Sequence, residues 1–219
     1  MRVLALLPDR NSTDPDGTVR SDWSGAFRVE AERLIALHGG RLVQIDVSQR
    51  TAARRAQVRA VLGQARAEGP LDLVAFLCHG WRTGIQLGYG LDDVDGLAED
   101  LVALAAPSIA LYACGTEVCE PGELCTEPNG FAAELNSALV RRGATLRLDA
   151  HAWSPGGGHC TSNPLVVRSE GTKIGWLIAP GSPLWPRWKA QLADRHGSTL
   201  RLRYPLLSRE QIEQELGSP

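Results

Sequence analysis

An open, mostly parallel α/β sheet with helices on both faces is the fold that this 219-residue sequence predicts, and three observations predict it. Short apolar runs of strand length recur along the chain. Between them lie longer segments whose apolar residues return every three or four positions, the period of a helix with one buried stripe. The two kinds of segment alternate five times, and the apolar runs are nearly continuous, as they are in strands buried on both faces. A single domain over residues 1–219 is expected, since this length buries one sizeable core.

The elements follow in order. Residues 2–7 are an almost wholly apolar strand closed by Pro8. Residues 9–22 are rich in Asp, Asn, Ser, Thr, Gly and Pro, a loop longer than a tight strand-to-helix connection needs. Trp23, Phe27, Leu34 and Ile35, with Ala26 and Ala31 between them, form a helical stripe that Gly39-Gly40 ends. Residues 42–47 are a second strand. A helix over 51–68 carries Val58, Val61, Leu62 and Ala65 beneath a coat of arginines, read as a solvated face, and closes at Gly69-Pro70.

Residues 71–77 are the third strand, followed by a hairpin or wide loop over 81–90 with glycines at 84, 88 and 90. Val94, Leu97, Leu101 and Leu104 mark a third helix opened by Asp92 and Asp93, whose charges suit a helix N-terminus. Residues 108–113 are the fourth strand, and 114–128 a loop. Asn129 is expected to cap a fourth helix with the stripe Phe131, Leu135, Ala138 and Leu139, ending at Gly143. Residues 144–150 are a fifth strand, leading into a loop that contains Gly156-Gly157-Gly158. Farther on, 165–167, 173–178 and 199–204 read as strands, and 185–195 and 208–216 as short helices.

Composition narrows the function. A formal net charge of −2 offers no basic field for nucleic acid or anionic lipid. No apolar run approaches the roughly 20 residues of a membrane helix, and residues 3–7 are too short for the core of a signal peptide. A soluble, cytoplasmic protein is expected, with no partner among nucleic acids or membranes. Five cysteines without a secretion signal should then mostly be thiols, metal ligands or catalytic groups. No glycine-rich phosphate loop follows the first strand, which disfavours nucleotides, and no cofactor is expected.

The chemistry gathers at two strand ends. The third strand runs into His79-Gly80 and the fourth into Cys114-Gly115, and His79 and Cys114 stand 35 residues apart, room for one helical crossover between neighbouring parallel strands. In such sheets sites lie beyond the carboxyl ends of the strands. A thiol becomes a useful nucleophile when an imidazole takes its proton. Glycine after each residue lets the backbone turn sharply, and the N–H groups of Gly80 and Cys114 could hold an oxyanion. The competing reading is ordinary: a His-Gly pair at a strand end and a cysteine in the core.

Apolar run, His79-Gly80, hairpin and helix, then apolar run and Ala113-Cys114-Gly115-Thr116 resemble the caspase-like cysteine peptidases, the family of metacaspases, gingipains, legumains and separases. The bacterial caspase-like domains associated with tetratricopeptide proteins are nearest in texture, through Ile85-Gln86-Leu87, the helix beginning Gly130-Phe131-Ala132-Ala133-Glu134-Leu135, and Arg142-Gly143-Ala144. The resemblance is clearest over residues 1–150. It implies a caspase-like fold, a His79/Cys114 dyad without an obligatory third member, and peptide-bond hydrolysis through an acyl-enzyme, with a protein or peptide as substrate and room for a regulatory protein partner. Arg10, Tyr112, Asp149, His151 and Trp153 are the substrate-binding candidates.

The chain also departs from the family. Relatives that cut after Arg or Lys carry an acidic residue ahead of the nucleophile, where this chain has Tyr112-Ala113. The arginines that select aspartate elsewhere have only positional counterparts in Arg10, Arg20 and Arg82. Two other classes stand beside the peptidase: a catalytically idle interaction module of the same fold, in host-defence or phage-related signalling, and a thiol-dependent non-peptide hydrolase or acyltransferase.

Two further groups carry donor chemistry. Cys119, Cys125, His159 and Cys160 offer thiolates and an imidazole suited to zinc, although their spacing matches no compact zinc finger; a Cys119–Cys125 disulfide is the alternative, and free thiols are preferred to both. Asp92, Asp93, Asp95, Glu99 and Asp100 crowd one segment, read first as acids favouring a helix start and second as a cation or basic-substrate pocket.

Overall fold

A computed structural model describes residues 1–9, 24–117, 129–152 and 160–217, without the side chains of residues 24–26 and 160. In chain order the elements are β1 (Val3–Pro8), α1 (Ser24–His38), β2 (Gly40–Ile45), α2 (Thr51–Ala67), β3 (Leu73–Leu77), the short strands β4 (Gly80–Trp81), β5 (Gly84–Ile85) and β6 (Tyr89–Gly90), α3 (Val94–Leu104), β7 (Ser108–Tyr112), α4 (Phe131–Arg141), β8 (Arg147–His151), β9 (Val166–Glu170), β10 (Lys173–Trp176), α5 (Trp185–Ala193), α6 (Leu200–Arg203) and α7 (Arg209–Leu216). Seven strands form one sheet in the order β10-β9-β8-β7-β3-β1-β2, and β4, β5 and β6 form a small antiparallel sheet. From β2 to β8 every pairing is parallel, while β9 and β10 add an antiparallel edge. The α/β class with a mostly parallel sheet is therefore as the sequence predicts.

The sheet order explains where the helices lie. The chain leaves β1 for β2 on one side, then crosses back over β1 to β3 and continues in the opposite direction. Right-handed crossovers force helices onto opposite faces when the direction reverses. Accordingly α1 covers one face, with Phe27, Ala31 and Leu34 packed on Val3, Ala5, Leu7, Leu73, Ala75 and Leu77. Helices α2, α3 and α4 cover the other, where Val58, Leu97 and Leu135 meet Leu4, Leu6, Val74, Phe76, Ile109 and Leu111. Alternate residues of each central strand thus feed opposite cores, and β1 and β3 read as unbroken apolar runs for that reason. The reversal falls between β1 and β3, so the crevice beyond their carboxyl ends is the place where this kind of sheet accommodates ligands.

Several sequence expectations are corrected. Residues 199–204 form α6 and a 3-10 turn rather than a strand. Their alternation of Leu200, Leu202 and Tyr204 with arginines mimics a strand, but Arg201 is itself buried. Its guanidinium reaches both carboxylate oxygens of Glu30 in α1 and donates to the carbonyls of Asp194, Arg195 and Ser198. That demand for nearby carbonyl acceptors is met by coiling. At α4 the N-cap is Gly130, at φ 117°, and not Asn129. The first α4 amides find backbone partners instead, Phe131 N–H on the Arg82 carbonyl and Ala132 N–H on the Thr116 carbonyl.

The arginine coat of α2 is not merely solvated, and the acidic segment is not an open pocket. Arg55 pairs with Asp93 and Arg59 with Asp100, joining α2 to α3, while Arg141 and Arg142 of α4 hold Asp95. Hydrogen bonds from Arg142 and then Arg141 keep the Asp95 carboxyl below its ordinary range. Among the described residues no helix is long and apolar enough to cross a membrane.

Asp149 is fully buried in β8 and receives both Nε and Nη2 of Arg168 in β9, at 2.7 and 2.8 Å. Arg168 also donates to the carbonyls of Tyr204 and Leu207, so one guanidinium ties the antiparallel edge to the C-terminal segment. Arg168→Met leaves a buried carboxylate without its counter-charge and should cost about 3–5 kcal/mol in urea unfolding. Asp149→Leu combined with Arg168→Met should recover part of that loss but not all, since the two carbonyls stay without donors.

Candidate active site

β3 and β7 are neighbours in the middle of the sheet, paired from Leu73↔Ser108 to Leu77↔Tyr112. His79 follows Leu77 by two residues, and Cys114 follows Tyr112 by two. The two residues therefore leave adjacent parallel strands at the same level, and the ladder extends to their threshold, where Cys78 N–H donates to the Tyr112 carbonyl at 3.3 Å. Strand alternation also gives them one face. Leu77 and Tyr112 belong to the core under α1, and the pattern returns to that face at 79 and 114. The His79 ring meets Phe27 of α1 edge-on, with centroids 5.2 Å apart, and half-buried Cys114 packs on the same core.

His79 is held by the hairpin that follows it. Gln86 N–H donates to the His79 carbonyl at 2.9 Å, and Gln86 Oε1 accepts from the His79 N–H at 3.3 Å, so one residue grips both sides of the histidine backbone. Gln86 is in turn anchored from α2, where Arg54 donates to its carbonyl, and Arg55 donates to the carbonyl of Gly88. Sequence reasoning quoted Gln86 only for texture. A polar residue flanked by Ile85 and Leu87, in the turn between β5 and β6, is the signal that could have marked it, because a buried amide needs partners.

Gly80 fixes the approach of the two strand ends. A Cβ placed there would lie 2.7 Å from Thr116 Cγ2, 2.8 Å from Ala113 Cβ and 2.9 Å from the Cys114 carbonyl oxygen. Only a residue without a side chain lets the 113–116 turn seat against the histidine loop. That turn is closed by Thr116 Oγ1 donating to the Ala113 carbonyl at 3.0 Å. Antiparallel pairs alternate between bonded and non-bonded, and the Gln86 N–H to His79 carbonyl bond makes Gly80↔Ile85 the non-bonded pair. The Gly80 N–H thus faces away from β5.

The cysteines divide sharply. Cys78 is a free thiol, fully buried. Burial pushes it up to about 12, only partly offset by the N–H groups of Gln86 and Leu87. Cys114 is disulfide-bonded; its partner's sulfur lies outside the described residues. Cys119, Cys125 and His159, and the side chain of Cys160, lie outside the description as well, so the zinc reading falls there. Among the described residues no group of three His, Cys, Asp or Glu side chains could hold a metal ion.

The substrate-binding expectations fare differently. Arg10 and Trp153 lie outside the described residues. Tyr112, Asp149 and His151 are each fully buried, which is a correction, because their side chains serve the interior. Tyr112 Oη donates to the Arg201 carbonyl at 3.0 Å, Tyr204 Oη and His151 Nε2 are 2.9 Å apart, and Asp149 is paired with Arg168. Burial, then the charge of Asp149, pushes the Tyr112 phenol up, so it stays protonated. Tyr112, the last residue of β7, packs in this layer with its ring centroid 5.7 Å from that of His151 and 6.0 Å from that of Tyr204.

No family model, no curated protein and no solved structure matches this chain.

Gly80→Ala should destabilise the protein by about 1–3 kcal/mol through overpacking. Gly175→Ala, where an added Cβ meets nothing within 4 Å, is the control expected to be near neutral in the same denaturant titration. In native protein Cys78 should resist iodoacetamide at neutral pH and react once urea exposes it; ready native labelling would contradict its burial.

Proposed function

We propose that the protein is a thiol hydrolase of caspase-like type that cleaves peptide bonds, with Cys114 as nucleophile and His79 as general base and then acid. The observation that carries this reading is the placement of His79 and Cys114 on one face, at one level, at the ends of neighbouring parallel strands. The α/β sheet with helices on both faces agrees with the fold that the resemblance implies.

In the reduced form the chemistry runs as follows. The Cys114 thiol gives its proton to the His79 imidazole, and the thiolate attacks the scissile carbonyl. Negative charge develops on the carbonyl oxygen, where the N–H groups of Gly80 and Cys114 are the donors assigned to receive it; one such donor is worth about 2.7–4 kcal/mol in known hydrolases. The imidazolium then protonates the departing amine. Water, deprotonated by His79, attacks the thioester and returns the sulfur. Gln86 contributes by fixing the histidine backbone, and Phe27 by bracing its ring. The substrate is a protein or peptide whose side-chain preference is set by the loops around residues 9–22, 81–91 and 151–160.

A second reading is favoured by one observation. The disulfide at Cys114 suits an idle module of the same fold, in which the strand end is stapled rather than reactive. A peptide-library digest under reducing conditions separates the two. The peptidase reading expects cleavage that Cys114→Ala abolishes and that His79→Ala slows by about 10²–10⁴-fold. Unchanged cleavage in both variants would sink it. No cleavage by the parent, with Cys114 shown to be reduced, would favour the idle module.

A further inference from the structure

Helix α1 spans the sheet from one edge to the other. Phe27, near its start, meets His79 at the carboxyl edge, and its end at His38 lies at the amino edge, where Gly40 of β2 pairs with Val3. At that far end a cavity of about 360 Å³ opens between α1 and the segment that follows α5. The volume is that of a small-molecule site, roughly 300–1,000 Å³. Arg33, Ala36 and Leu37 line it from one face of α1, and Arg195, Arg201 and Leu202 from the other wall.

The lining holds three arginines and no carboxylate. Arg201 is buried and every one of its N–H groups is engaged: Nε by Glu30, Nη1 by the carbonyls of Asp194 and Ser198, and Nη2 by Glu30 and the Arg195 carbonyl. It supplies charge to the cavity but no donor. Half-buried Arg33 bonds through Nη1 alone, to the Arg195 carbonyl at 2.9 Å, with Glu30 Oε1 at 3.5 Å. Among the described residues its Nε and Nη2 have no partner.

The charges do not balance. Two carboxylates are bonded to this lining. Buried Glu30 serves Arg33 and Arg201 together, and Asp194 is turned into its own loop, where it accepts from the N–H groups of His196 and Gly197. Three guanidiniums against two carboxylates leave one positive charge in excess, beside a free guanidinium edge. Partial enclosure strengthens the pull of that charge on an anion. The rest of the wall is apolar: Leu37 is 42% exposed, and Ala36 and buried Leu202 flank the same space.

We propose that this cavity binds a small organic monocarboxylate, with its head on Arg33 and its apolar body on Ala36, Leu37 and Leu202. The two oxygens of a carboxylate match the parallel N–H groups of one guanidinium edge, here Nε and Nη2. A single negative charge also cancels the excess. Phosphate carries more charge and more acceptor oxygens than one free edge satisfies, and it has no apolar body. The cavity shares no residue with the His79 and Cys114 edge, so binding here stands apart from the thiol-hydrolase reading.

The full chain, isotope-labelled, is titrated with hexanoate, hexanol and inorganic phosphate at constant ionic strength while NMR follows leucine methyl and arginine Nε–H signals. Hexanoate should shift Leu37, Leu202 and Arg33 saturably in the millimolar range. Hexanol and phosphate should bind about tenfold or more weakly, the factor expected from one lost hydrogen bond between charged groups. Arg33→Gln should weaken hexanoate by a similar factor. Ala36→Glu, at an exposed position, puts a carboxylate into the wall without removing a bond, so it should abolish binding in protein of unchanged circular dichroism even where Arg33→Gln does not fold. Arg28→Gln, on α1 but outside the lining, should bind as the parent does.

Shifts that rise without saturating, or that fall on other arginines and leave Arg33 unmoved, would overturn the site. So would hexanoate bound equally by the parent and Ala36→Glu. Hexanol binding as well as hexanoate would overturn the anionic head, and phosphate binding more tightly would overturn the carboxylate.

Discussion

The parallel pairing of β3 with β7 is the constraint on which the rest depends. Both strands are five residues long and paired along their full length, so both end at one height. A slip of one residue in either would turn its terminal side chain to the opposite face of the sheet. Such a slip is resisted from both sides, because every residue of the two strands is buried and alternate residues belong to different cores. The placement of His79 and Cys114 at the ends of neighbouring strands is therefore a by-product of sheet burial.

Around that pair the molecule uses backbone and charge to hold loops still. Gln86 grips the His79 backbone, Arg54 and Arg55 hold the Gln86 end of the hairpin onto α2, and the first amides of α4 close on the carbonyls of Arg82 and Thr116. Each bond is modest alone, about 0.5–1.5 kcal/mol net. Together they connect α2, the hairpin, the post-Cys114 turn and α4 in one ring around the strand ends. Beneath, the buried layer of Tyr112, His151 and Tyr204 and the two enclosed ion pairs, Asp149–Arg168 and Glu30–Arg201, fasten the C-terminal third to the parallel sheet and to α1. Buried charges of this kind hold position more than they add stability.

The sequence alone determined the alternation of strands and helices, the position of most element boundaries to within two or three residues, and the equivalence of His79-Gly80 and Cys114-Gly115 as strand ends. It could do so because burial on both faces writes continuous apolar runs, and helices write a 3.6-residue stripe, into local composition. Residues 199–204 defeated it, since Leu200, Leu202 and Tyr204 show a strand's period while the partner that lets Arg201 be buried, Glu30, lies 171 positions away. Asp149 and His151 likewise read as strand-end polar groups, and only their pairing with Arg168 and Tyr204 puts them inside. The arginines of α2 look solvated until α3 brings Asp93 and Asp100 alongside. Tertiary structure decided these cases because a charge or hydroxyl is placed by the partner that desolvates with it, and such partners are distant in sequence. The same holds for Cys114: its position was written in the fourth strand, but whether its sulfur is bonded depends on a second sulfur that folding brings near.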